Sequence, residues 1–110
     1  MDQRLETVLQ DVDHINTINN QKRLLKEQYV EDCVFYYNGG KFTVTKELLG
    51  FTTQLGTSYI TDDNLVPVEI DKDEFNRLIS NVYWNATKKY HTAYQELIKN
   101  SRNIEELLNL

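Results

Sequence analysis

Cys33-Val34-Phe35-Tyr36-Tyr37-Asn38-Gly39-Gly40-Lys41-Phe42-Thr43-Val44 admits two folds. The residues before it have helical period, whereas Cys33 to Tyr37 is rich in strand formers. We extend a helix from about residue 2 through this run to residue 38. Asn38, Gly39 and Gly40 then stop it, because asparagine and glycine tolerate the positive φ that ends a helix. The competing reading pairs Val34 to Tyr37 with Lys41 to Thr45 as a hairpin around Asn38-Gly39, a strong two-residue turn signal. Residues alone leave the choice open.

All four glycines (Gly39, Gly40, Gly50, Gly56) and the one proline, Pro67, fall in the middle third of the 110-residue chain. The flanks are free of breakers, so each can run as a long helix. In the first flank Leu5, Val8, Val12 and Ile15 recur at three-four spacing and share one face. Asn19 comes next in that series. Either it is a polar residue inside a coiled-coil seam, or the stripe shifts to Ile18, Leu25 and Tyr29 and leaves Asn19 in solvent; we prefer the shift.

In the middle, Lys41-Phe42-Thr43-Val44 alternates as a short strand. Thr45 can cap a helix from Lys46 to Leu55 that Gly56 closes. Tyr59-Ile60-Thr61 and Leu65 to Ile70 flank Asp62-Asp63-Asn64 as a second hairpin, in which Pro67 must lie at an edge or with its nitrogen outward. Asp71 followed by Glu74 is a capping pattern at a helix start. From there Phe75, Leu78, Ile79, Val82, Tyr83, Ala86, Tyr90, Ala93, Tyr94, Leu97 and Ile98 recur at helical spacing. The helix covers about 72 to 100, and residues 102 to 109 either continue it or form a separate helix capped by Ser101.

The expected fold is α+β and mainly helical: two long antiparallel helices flanking a small β-hairpin and short-helix insert at about 41 to 70, in a single domain. Such a pair is thin. Apolar surface is left over for a second copy or another protein.

Composition narrows function more than any motif does. With 12 Lys and Arg against 17 Asp and Glu, the net charge of -5 disfavours nucleic acid and anionic membrane as partners. No run approaches the roughly 18 apolar residues of a membrane span, and the polar start Met1-Asp2-Gln3-Arg4 lacks a signal-peptide core. Cys33 is the only cysteine. It sits in an apolar run, as a buried free thiol does in a reducing compartment. The expected location is cytoplasmic.

Catalysis by Cys33 would need a base beside it, and the only imidazoles, His14 and His91, lie in polar helical runs. No zinc spacing, P-loop or calcium-loop pattern is present. The expectation is no enzyme, no metal and no cofactor.

Charge layout supplies the candidate sites. Asp62, Asp63, Glu69, Asp71, Asp73 and Glu74 stand against Lys72 alone, so this segment carries the whole net charge. Residues 77 to 102 are basic, with Arg77, Lys88, Lys89, Lys99 and Arg102 against Glu96, and residues 1 to 20 are acidic. Tyr83, Tyr90 and Tyr94 belong to the helical core stripe. Trp84, beside Lys88 and Lys89, is the aromatic left to meet a partner. The function expected is a structural, assembly or scaffold protein working through a protein partner or homo-oligomer. The alternative is an acidic inhibitor or adaptor that binds a basic patch on another protein.

Three places, Phe35-Tyr36-Tyr37-Asn38-Gly39-Gly40-Lys41-Phe42, Asp62-Asp63-Asn64-Leu65-Val66-Pro67-Val68, and Tyr94-Gln95-Glu96 with Ser101-Arg102, stand in an order of their own. In them the chain resembles small uncharacterised proteins of T4-like tailed bacteriophages, including those of cyanobacteria. The resemblance implies a phage origin and a virion or assembly role, and brings no site residues. The helix, β insert, helix plan also resembles prefoldin-type chaperone subunits. The predicted helix inside the insert and the loss of clean heptads after Ile15 depart from that plan.

Overall fold

In the computed structural model the backbone is described for residues 3–54 and 58–108 and the side chains for 13–51 and 58–103. The order is α1 (Gln3–Asp32), β1 (Val34–Tyr37), β2 (Gly40–Thr43), α2 (Lys46–Gln54), β3 (Tyr59–Thr61), β4 (Pro67–Glu69) and α3 (Lys72–Leu108). The fold is α+β and mainly helical, with two long helices around a small β insert.

The first helix stops at Asp32, six residues short of the expected 38. The Cys33 amide still donates to the carbonyls of Tyr29 and Val30, while the Cys33 carbonyl accepts from the Val44 amide at 2.9 Å. Cys33 therefore belongs to the last helical turn and the first rung of a hairpin together. The hairpin β1-β2 is antiparallel, with Phe35 opposite Phe42 and Tyr37 opposite Gly40. Its two-residue loop puts both Asn38 (φ 45°) and Gly39 (φ 80°) in the left-handed region, as a type I′ turn requires. Pairing wins over helical period because it places Phe35 and Phe42 on the side of Phe75, with ring centroids 5.2 to 5.8 Å apart.

The second hairpin, β3-β4, sets Ile60 opposite Val68 and Thr61 opposite Pro67. The ladder bonds fall at Ser58-Ile70 and Asp62-Val66. Pro67 thus sits in a non-bonded pair, its nitrogen directed away from the partner strand. Thr45 caps α2 as expected, its hydroxyl accepting from the Leu48 amide at 3.1 Å. The expected end of that helix at Leu55 and Gly56 lies outside the described residues. Asp71 caps α3 by accepting from the Asp73 and Glu74 amides. The Asp71 amide, which a reciprocal Glu74 would take, donates to the Tyr37 hydroxyl at 3.2 Å. Beyond it α3 is one helix through Ser101 to Leu108, with no separate C-terminal helix.

The chain divides into two compact units, Gln28–Lys89 and the pair Met1–Glu27 with Tyr90–Leu110. In the first, Cys33, Phe35, Phe42, Val44, Val68, Ile70, Phe75, Ile79 and Ala86 form a closed apolar core. Phe75, fully buried, is its centre. The Tyr29 hydroxyl meets that of Thr87 at 3.2 Å, and Lys89 pairs with Asp32 at 3.2 Å, so the end of α1 is tied to α3 inside this unit.

In the second unit α1 and α3 run antiparallel. Lys22 lies 5.9 Å from the centre of the Tyr94 ring, and Tyr90 packs edge-on against Tyr94. None of the described side chains here is fully buried. The half-buried positions on α1 are His14, Ile18, Lys22, Leu25, Tyr29 and Asp32, at helical spacing. This is the shifted stripe: Asn19 is exposed, and Ile15, expected inward, is 55% exposed. Leu5, Val8 and Val12 fall outside the described side chains.

Candidate functional site

The longest stretch of α3 without an acidic residue runs from Phe75 to Gln95. Trp84 lies nine residues after Phe75, half a turn away from the buried line of Phe75, Ile79 and Ala86. It is 69% exposed. Lys88, one turn further along the same face, is exposed as well. Lys89 is directed elsewhere, since its ammonium pairs with Asp32. The two lysines that look equivalent in sequence are therefore not equivalent. Arg77, seven residues before Trp84, joins the line of Trp84 and Lys88 and is exposed. The spacing of seven and four was the available signal for it.

The acidic segment splits differently. Asp62, the only buried charged residue among the described ones, accepts the amides of Lys41 (3.1 Å), Asn64 (2.9 Å) and Val66 (2.8 Å). The Val66 amide is the largest influence holding its carboxyl below the usual aspartate range, with the Lys41 and Asn64 amides adding to it against the cost of desolvation. Asp63 takes the Thr43 hydroxyl at 2.6 Å and the Thr43 amide at 3.3 Å, and its own amide donates to the Lys41 carbonyl. Lys41 and Thr43 are the β2 residues whose backbone groups face away from β1. Two carboxylates thus close the β2 edge where a third strand would pair. Asp71 is committed to the α3 cap. Glu69, Asp73 and Glu74 are exposed. The acidic run is therefore half internal fastening and half surface.

Cys33 is buried, and burial pushes its thiol above the ordinary range, with the Tyr29 hydrogen bond opposing and Asp32 reinforcing. His91 is exposed, and His14 is half-buried with Nε2 unpartnered among the described residues. No group of three or more His, Cys, Asp or Glu able to hold a metal occurs among the described residues. Among them no helix is long and apolar enough to cross a membrane.

Two grooves flank the helix pair of the second unit. One, of about 320 Å³, is lined by Ile15, Ile18, Lys22, Ile98 and Arg102. The other, of about 370 Å³, is lined by Leu24, Leu25, Ala93, Glu96 and Leu97. Both are open and partly apolar, which suits a packed side chain better than a small substrate.

No family model, curated protein or solved structure matches this chain. Function has to be argued from its own surface.

Proposed function

We propose that the protein is a non-enzymatic assembly or scaffold protein that works through protein-protein contacts. The observation that carries this reading is the uncovered stripe of the helix pair. Every fully buried apolar side chain among the described residues belongs to Gln28–Lys89. In the other unit Ile15 is 55% and Leu24 49% exposed, beside grooves that expose further apolar side chains. Apolar faces of this kind are stabilised by a covering surface. The phage resemblance adds the proposal that the protein is phage-encoded and acts in the host cytoplasm or virion.

Light scattering on the purified protein at low and high salt tests it. A salt-resistant oligomer that dissociates in Ile15→Asp and Leu24→Asp variants is the expected result. A monomer in both conditions, unchanged by either substitution, would overturn self-association through this stripe. The acidic-adaptor alternative has Glu69, Asp73 and Glu74 to work with, since Asp62, Asp63 and Asp71 already accept backbone amides. The prefoldin-like alternative must accommodate α2 within the insert.

A further inference from the structure

We infer that the outward line of α3, Arg77, Trp84 and Lys88, docks an acidic segment of a partner protein carrying an apolar side chain between two carboxylates. The inference rests on the protein-contact reading above and supplies the chemistry of the partner.

Three observations carry it. First, the line is coherent: the residues are seven and four positions apart on one helix, which places the two basic residues about 16 Å apart along its axis with the indole between them. Second, it is unoccupied by the rest of the chain. Trp84 is 69% exposed, and neither Arg77 nor Lys88 has an ion pair among the described residues, whereas the neighbouring Lys89 is spent on Asp32. The Arg77 Nε makes only a long 3.4 Å contact to the Asp73 carbonyl, which leaves the outer edge of the guanidinium free. Third, the stretch that carries the line is free of carboxylates: no aspartate or glutamate occurs from Phe75 to Gln95 in a protein whose net charge is -5, and Asp73, one turn before Arg77 on the same face, marks where the basic line ends.

A large aromatic ring between two cations is the composition of a contact centre: the ring supplies area at low entropic cost, and the cations select and orient. Carboxylates answer the cations, and the guanidinium can hold one through two parallel bonds. Nucleic acid would meet the same cations, but the overall negative charge opposes a polyanion, and only three groups on one line engage it. On an extended segment at roughly 3.3 Å per residue, side chains two and four places after a first carboxylate share its face, so an apolar residue two places on and a second carboxylate four places on lie over about 13 Å of the line, which the long arginine and lysine side chains can meet.

Trp84 is the only tryptophan, so its emission reports directly on this face. The probe is a pentapeptide with glutamate at both ends and leucine at the third place, titrated into the full chain at low salt. A saturable blue shift is expected. Its glutamine analogue should bind roughly tenfold more weakly, and so should the Arg77→Glu/Lys88→Glu variant. No shift at millimolar peptide, equal binding of the two peptides, or a stronger response to an oligothymidylate would overturn the inference. So would a blue shift on concentrating the protein alone, which would mean that a second copy covers the indole. If light scattering shows oligomers while Trp84 still emits as in water and ignores the peptide, the assembly reading stands and this inference falls.

Discussion

The Asp62 carboxylate accepts the Lys41 amide across 21 residues of sequence, at 3.1 Å, and so stitches the loop of one hairpin to the edge of the other. The same side chain holds the Asn64 and Val66 amides of its own loop, where Leu65 adopts a positive φ of 62°. A non-glycine residue is kept in that conformation only when its surroundings over-determine it. Asp62 does so.

A pH dependence follows. The folded carboxyl is held below its unfolded value of roughly 3.9. Its contribution is complete above that value and is lost as pH falls through the folded pKa. Urea midpoints should show wild type more stable than Asp62→Asn at pH 7. The gap should narrow steadily below pH 4; a gap constant with pH would refute the role given to the charge.

Gly40 is required for a different reason from its neighbour Gly39. A Cβ on Gly40 would stand 2.7 Å from Val68 Cγ2 and 2.9 Å from Phe42 Cε2, whereas one on Gly39 meets nothing within 4 Å. Gly40→Ala should cost about 1–3 kcal/mol by overpacking. Gly39→Ala should cost about 1–2 kcal/mol through its positive φ alone. Calorimetry combined with the Val68→Ala background separates them: the second substitution should relieve only the Gly40 variant.

Phe75 and Trp84 are both large aromatics on α3 and should behave oppositely. Phe75 is fully buried among Phe35, Tyr37 and Phe42. Phe75→Ala should cost about 3–5 kcal/mol. Trp84→Ala should stay within about 0.5 kcal/mol of wild type by urea unfolding. Any loss of association in the second variant would then report contact and not folding.

The Cys33 thiol should resist alkylation in the native state. It is 2% exposed and its pKa is raised by burial, so thiolate is scarce and reagents cannot reach it. At pH 8 a maleimide should label the protein stoichiometrically in urea and very slowly without it. Prompt native labelling would mean that the junction of α1 and β1 opens readily.

The local signals were legible. Asp71 and Thr45 cap the helices where the spacing of acceptor and amide predicts, and Phe75, Ile79 and Ala86 are buried where period predicts. The turn at Asn38-Gly39 was legible only as a choice. A helix stop and a type I′ turn ask for the same two residues, and the decision came from Phe75, more than thirty positions away. In the sequence the acidic run offers itself as a binding segment for a basic patch, because charge is normally solvated. Nothing local indicates that Asp62 and Asp63 would meet Lys41 and Thr43.

By itself the sequence determined where helices can run, where they must break and which capping residues start them, because φ restrictions, period and side-chain-to-amide reach act within a few residues. Tertiary structure decided the rest. It ended α1 at Asp32, packed Val68 and Phe42 against Gly40, fastened Asp62 and Asp63 to the β2 edge, and separated Lys88 from Lys89. Each of those outcomes depends on a group brought near from elsewhere in the chain, as the Thr87 hydroxyl is brought to Tyr29 across 58 residues. Such encounters are settled by packing the whole apolar core at once.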